Sequence, residues 1–326
     1  MREQEVLVGD VGGTSVRFAL AHATPDCIAI DHFEKLPGDQ FGCFEDAIET
    51  YLDHQNIRPK AALFALAGPV ADDKVRLTNR PWSIDARIIE DRFGFGDAHL
   101  VNDFKAMARA VPELTDGHLS TISGGDLKLD ENILVAGAGT GLGVAALIAD
   151  GPNNWIVLSS EGGHAAFAPQ TDRESDLRDW LAKNYGYVSN ELVCSGIGLE
   201  PVHRGLCALS GVPFEAQSPR DILTAAASGD AIASEICTLR ARTILSAAGD
   251  AALTIGATGG IVLAGGVSTR LEEYLKSPES LSRFHNRGPR SDYMAQIPIK
   301  MIRHETAPLI GAAALYFKDK DDLDYG

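Results

Sequence analysis

Several short stretches of this chain set glycines beside carboxylate, amide, hydroxyl or imidazole side chains. Gly9-Asp10-Val11-Gly12-Gly13-Thr14 lies between two apolar runs of strand type, 6–8 and 16–20. Glycines at a strand-to-strand turn let backbone N–H groups come close to phosphate oxygens. This makes Gly9, Gly12, Gly13 and Thr14 candidate phosphate contacts. Asp10 sits at the strand end, where a carboxylate could hold Mg²⁺ directly or through water. The plainer reading is a simple hairpin, since Gly-Gly is a common turn pair. No helix follows, so this is not a dinucleotide fingerprint, and the Gly-Lys-Ser/Thr of a Walker A loop is missing.

Gly137-Ala138-Gly139-Thr140-Gly141-Leu142-Gly143 repeats the theme with four alternating glycines. Glycine weakens a strand, and a ligand lying close to the backbone is the simplest compensation. The Thr140 hydroxyl adds a further phosphate contact. Leu263-Ala264-Gly265-Gly266-Val267 runs a strand into a helix through two glycines. That suits a nucleotide at a helix N-terminus as well as it suits a tight β–α turn.

Three other stretches carry polar side chains. Asn102-Asp103 follows a strand and precedes a helix. One of the two caps the helix, which leaves its neighbour able to face a ligand. Glu161-Gly162-Gly163-His164 offers an acid and an imidazole in a loop freed by glycines. Zinc would need further ligands nearby, and none stands at that spacing. Asn79 and Glu191 are individually ordinary surface polar residues.

The positioning elements alternate between strand and helix. Apolar spacing predicts helices at 44–52, 85–93, 104–110, 175–184, 231–255, 269–275 and 307–317, with Pro112 stopping the third. Short apolar runs predict strands at 61–67, 99–101, 133–136, 144–148 and 260–264. The strand–glycine turn–strand unit occurs twice, at 6–20 and 133–148, which suggests two related halves. The pattern predicts an α/β fold of two lobes.

Composition narrows the partners. The 326 residues carry a net charge of −16 and no Lys/Arg-rich run, which argues against nucleic acid. Five scattered cysteines read as reduced thiols of a cytoplasmic protein. Uncharged stretches at 133–149 and 251–269 are broken by glycines and do not read as membrane spans. The first residues do not read as a signal peptide.

Taken in order, these motifs resemble the bacterial glucokinase family, within the sugar kinase, hsp70 and actin superfamily. The set is Gly-Asp-Val-Gly-Gly-Thr, Leu-Thr-Asn-x-x-Trp, Asn-Asp-Phe, Gly-Ala-Gly-Thr-Gly-Leu-Gly, Glu-Gly-Gly-His and Ser-Gly-x-Gly-Leu. The resemblance implies a two-lobed, ribonuclease-H-like (actin-like ATPase) α/β fold with ATP and sugar in the cleft. It implies a small lobe of 1–114 plus 304–326 and a large lobe of 115–303. It implies ATP-dependent phosphorylation of glucose at the 6-hydroxyl, the first step of glycolysis, with Asp103 as the base. Asn102, Glu161, His164 and Glu191, with Asn79, would bind the sugar. Gly12, Gly13, Thr14, Gly139 and Thr140 would line the phosphates, and Gly265 and Gly266 the adenosine side. Gly9, Asp10, Gly137 and Gly141 complete the ATP-binding set. The family uses Mg²⁺-ATP and is usually a homodimer.

Two positions depart from the family's pattern. Ser15 stands where Asn is usual, and Ser160 where Gly is common. Rival readings are a kinase of another hexose and a non-catalytic sugar-sensing regulator. The intact Asn102-Asp103 pair favours activity.

Overall fold

The computed structural model describes residues 5–24, 27–77 and 80–320. They form two compact units, one running to His118 and resuming at His304, the other Leu119–Arg303. The first unit contains β1 Glu5–Val11, β2 Ser15–Ala23, β3 Ile28–Pro37, α1 Phe44–Gln55, β4 Ala61–Leu66, β5 Lys74–Arg76, β6 Ser83–Asp85, α2 Ala86–Phe93, β7 Asp97–Asn102 and α3 Asp103–Ala110. The second opens with β8 Leu119–Ser123, β9 Ile133–Ala138, β10 Leu142–Ala149 and β11 Trp155–Ser160. Helices α4 Asp172–Tyr185, α5 Asn190–Cys194, α6 Leu199–Ser210, α7 Pro219–Ala227 and α8 Ala231–Ile255 follow. It closes with β12 Gly260–Ala264, α9 Gly266–Arg270, α10 Glu272–Leu275, α11 Pro278–His285, α12 Ser291–Ala295 and β13 Ile299–Ile302. Helix α13, Ala307–Lys318, returns to the first unit.

The two sheets share one plan. The first has the order β3-β2-β1-β4-β7, with β1 to β3 antiparallel and β1, β4 and β7 parallel. The second has the order β11-β10-β9-β12-β13-β8, again an antiparallel trio followed by two parallel neighbours, with β8 added antiparallel at the edge. β4 and β9 are buried along their whole length, as sheet strands covered on both faces are. The glycine turn joins β1 to β2 in the first unit and β9 to β10 in the second.

Caps end the helices where the sequence signals them. Asp230 opens α8 by accepting from the Ala233 N–H, and Gly256 closes it in the left-handed conformation. The helix predicted at 269–275 is two short ones, α9 and α10, broken at Leu271. Residues along α8 from Ala233 to Ala252 fill the second unit's core. No single helix among the described residues is long and apolar enough to cross a membrane.

Helix α13 is buried from Ala307 to Tyr316. Its Gly311 lies against the Ala106 carbonyl of α3, where a Cβ would collide with backbone. Gly311→Ala should cost about 1–3 kcal/mol, the usual penalty for overpacking. Urea unfolding of the variant measures it, and an unchanged midpoint would show that the two helices can part without loss.

Candidate functional site

The first glycine turn closes the β1–β2 hairpin, which is paired up to Val11 and Val16. The Gly12 N–H donates to the Ser15 carbonyl (3.1 Å), and the Gly38 N–H to that of Thr14 (3.1 Å). The Gly13 carbonyl accepts from Arg80 Nη2 at 3.0 Å. Gly12 has room around it, and Thr14 is exposed. Gly9 is buried, and a Cβ there would fall 2.7 Å from the Phe64 ring and 3.1 Å from that of Phe18. Its missing side chain therefore answers the core.

Asp10 and Arg17 face each other across the same hairpin, so their side chains share one side of the sheet. Arg17 Nη1 lies 2.6 Å from Asp10 Oδ2, and Asp10 is 6% exposed. Burial pushes the Asp10 carboxyl above its ordinary value, while Arg17 and, more weakly, Lys35 oppose that rise. Among the described residues no group of three or more His, Cys, Asp or Glu side chains could hold a metal ion. Asp10 is thus one carboxylate already paired with a cation. Mg²⁺ fits beside it only as an ion that brings most of its own ligands, such as water and phosphate oxygens.

The second turn is held from within its own unit. The Gly139 N–H donates to the Gly141 carbonyl (2.8 Å). The Gly196 and Ile197 N–H groups donate to the carbonyls of Gly139 (2.8 Å) and Thr140 (3.1 Å). Buried Arg240 of α8 braces that strap through Nε to the Cys194 carbonyl (3.1 Å) and Nη2 to the Ser195 carbonyl (2.7 Å). Its burial draws the guanidinium's pKa below the usual value.

The alternating glycines have separate causes. A Cβ on Gly137 would strike the Ala264 carbonyl, and one on Gly141 the Glu191 carboxylate. Gly139 stands over open space. At Gly137 and Gly141 protein atoms already demand a residue without a side chain. Gly265, with φ of 88°, lies against the Ala138 carbonyl, and Ser268 Oγ accepts from the Ala138 N–H at 3.0 Å. The third glycine pair is thereby fastened to the second turn.

Glu161, His164 and Glu191 come together. His164 Nε2 is 3.9 Å from Glu161 Oε2 and 3.8 Å from Glu191 Oε1. The other oxygen of Glu191, Oε2, accepts from the Leu142 N–H at 2.8 Å. Glu161 and His164 are well exposed, whereas Glu191 is 15% exposed. Gly163 is bare because the Leu142 carbonyl occupies the place of a Cβ. Ser160 Oγ donates to the Val144 carbonyl (2.9 Å) and accepts from the Gly162 N–H (3.3 Å), so the serine at this position helps close the loop. Tyr187 donates its hydroxyl to the His164 carbonyl at 3.0 Å.

Asn102 is the N-cap of α3. Its Oδ1 accepts from the N–H groups of Phe104 (2.9 Å) and Lys105 (3.2 Å), while Nδ2 donates to the Gly68 carbonyl (3.1 Å). Asp103 opens the helix, half-buried, with Oδ1 2.9 Å from the Phe104 nitrogen. A carboxylate is electrostatically favoured in a helix's first turn. Asn79 lies outside the described residues. Sequence reasoning passed over Arg17, Arg80, Tyr187 and Arg240. Arg240 alone left a trace, as a charge set in the apolar stripe of a long helix.

Residues 7–319 match the family model described as Glucokinase. A glucokinase of Saccharophagus degradans is 37% identical over 311 residues, which is 94% of this chain and 97% of that protein. One from Chromobacterium violaceum is 36% identical over 310 residues, 94% of this chain and 88% of the relative. The crystal structure of a glucokinase from an Antarctic psychrotroph superposes with a TM-score of 0.83 at 34% identity, over 95% of this chain and 98% of that one.

The Asp10–Arg17 pair gives a pH-dependent expectation. A carboxyl whose folded pKa lies above its unfolded value of 3.8 contributes stability below that value. The contribution is lost as pH rises through the folded pKa. Arg17→Met removes the opposing cation and raises the folded value further. The variant should lose about 3 kcal/mol near neutral pH, the low end for a broken buried pair because Arg17 is a quarter exposed. The loss should shrink towards pH 3.8. Urea unfolding of both proteins across that window reads it, and a pH-independent loss would exonerate Asp10.

Proposed function

The chain belongs to the glucokinase family, and we propose that it moves the terminal phosphoryl group of ATP onto the 6-hydroxyl of glucose. The products are glucose 6-phosphate and ADP. Phosphoryl transfer asks a protein for positioning and charge neutralisation more than for covalent help. The Asp103 carboxylate accepts the hydroxyl proton as the sugar oxygen bonds to the terminal phosphorus. The bond from that phosphorus to its bridging oxygen breaks, and ADP leaves. A base in this role is worth about 10²–10⁴ in rate.

Glu161, His164 and Glu191 hold other sugar hydroxyls, with Asn79. Asn102 spends its amide oxygen on the helix cap and one Nδ2 hydrogen on Gly68, which leaves a single hydrogen for the sugar. Gly12, Gly13, Thr14, Gly139 and Thr140 turn backbone groups to the phosphates, and Gly265 and Gly266 take the adenosine side. Gly9, Gly137 and Gly141 act by letting these turns form. Mg²⁺ bound with the nucleotide neutralises phosphate charge. Asp10, paired with Arg17, would hold it through water.

Glu191 carries this assignment. One carboxylate oxygen faces His164 while the other grips the second glycine turn at the Leu142 N–H. A hydroxyl-reading pair is therefore built directly onto a phosphate-type turn. We further propose a cytoplasmic homodimer acting at the first step of glycolysis.

A panel of hexoses with coupled ADP detection tests the substrate, glucose being the expected winner. Asp103→Asn should lose about 10²–10⁴ in kcat while still binding glucose in calorimetry. Turnover close to the parent's would end its role as base. His164→Ala and Glu191→Ala should chiefly raise KM for glucose, because a site built to bond a hydroxyl suffers when one partner goes. An unchanged KM would remove either residue from the sugar site.

A further inference from the structure

We propose that Arg80 is a positioning residue for the phosphoryl donor, holding the Gly13–Thr14 peptide so that the Thr14 N–H is presented to a phosphate oxygen. The proposal rests on the kinase reading above. It starts from peptide geometry. In a trans peptide the C=O and the following N–H point in opposite directions. Arg80 Nη2 binds the Gly13 carbonyl at 3.0 Å, so the Thr14 N–H is directed away from Arg80. The Thr14 carbonyl is tied in turn by the Gly38 N–H at 3.1 Å. Two successive carbonyls of the turn are thus fastened to the protein while Thr14 itself stays exposed.

Arg80 is itself gripped. Its guanidinium carbon lies 4.9 Å from the ring centroid of Trp82, which is buried. Its far end fills the place a Cβ of Gly38 would take. A planar fork fits between an aromatic face and a bare backbone, where a lysine would not. Arg80 Nε is buried without a hydrogen-bond partner among the described residues. Leaving a polar atom so costs stability, which points to a use for this arginine beyond holding the fold. Its positive charge also stands one peptide from the proposed phosphate.

Two variants reach the same contact by different routes. Arg80→Ala removes the guanidinium, and Gly38→Ala puts a methyl where it sits. Each is assayed with ATP and glucose varied separately, and by calorimetry with the non-hydrolysable analogue adenylyl imidodiphosphate. Both should raise KM for ATP and Kd for the analogue about tenfold, as for losing a hydrogen bond to a charged group, and move KM for glucose far less. Methylguanidinium should restore analogue binding saturably in Arg80→Ala and fail to do so in Gly38→Ala, whose methyl fills the place. Unchanged analogue affinity would overturn the proposal. So would equal losses for both substrates with a lowered melting temperature, the mark of a merely structural arginine. If the parent protein does not phosphorylate glucose, the kinase reading falls, and analogue binding still decides the role of Arg80.

Discussion

One carboxylate constrains much of the second unit. Glu191 must reach the Leu142 N–H and leave its other oxygen beside His164. That demand explains Gly141, which has no side chain because the carboxylate lies there. It also fixes α5, whose N-cap Ser189 bonds the Leu192 N–H and sets Glu191 in the first turn. The strap at Gly196 and Ile197 leaves the same short helix and returns to the same turn. A single carboxyl group, one five-residue helix and three backbone bonds therefore set where the glycine turn sits. Because such contacts are short-range and directional, small displacements at any of them reach the others.

The first unit meets the same need with different chemistry. Its glycine turn is fixed by an arginine and a neighbouring backbone N–H, and its acid, Asp10, is committed to an ion pair. The two sheets repeat one strand plan, yet the groups that tie their turns are unrelated. The plan is what the alternating apolar runs dictate. The ties depend on residues far apart in sequence, such as 13 with 80 and 139 with 196.

That distance separates what the sequence revealed from what it concealed. The helix at 231–255 was legible to the residue, because Asp230 and Gly256 cap a long apolar repeat. The central strands were legible as unbroken apolar runs. β3 was not, since it lies at the sheet's edge with exposed Asp31, His32 and Phe33 on a strand whose register slips. Of the polar residues, Asn102 and Asp103 could be read locally as a cap and its neighbour, and the structure assigns the cap to Asn102. The alternating glycines have a cause that the sequence does not display. A glycine demanded by a ligand and one demanded by a facing carbonyl look the same in sequence, and only the fold separates Gly139 from Gly137 and Gly141. Arg80 was silent because its partner is a backbone carbonyl, which carries no sequence signature.

The return of α13 to the first unit bears on how the molecule is made. Its buried residues pack on α3 and on the sheet formed by β1, β2 and β4, yet the ribosome delivers them after the whole of 119–303. The second unit is continuous and can fold while synthesis proceeds. The first must wait, with an apolar sheet face uncovered, until its closing helix emerges. Domains generally fold as units in the order they emerge, and exposed apolar surface invites aggregation. In this chain the first unit begins before residues 119–303 and is completed after them, so its sheet face stays uncovered while they are made.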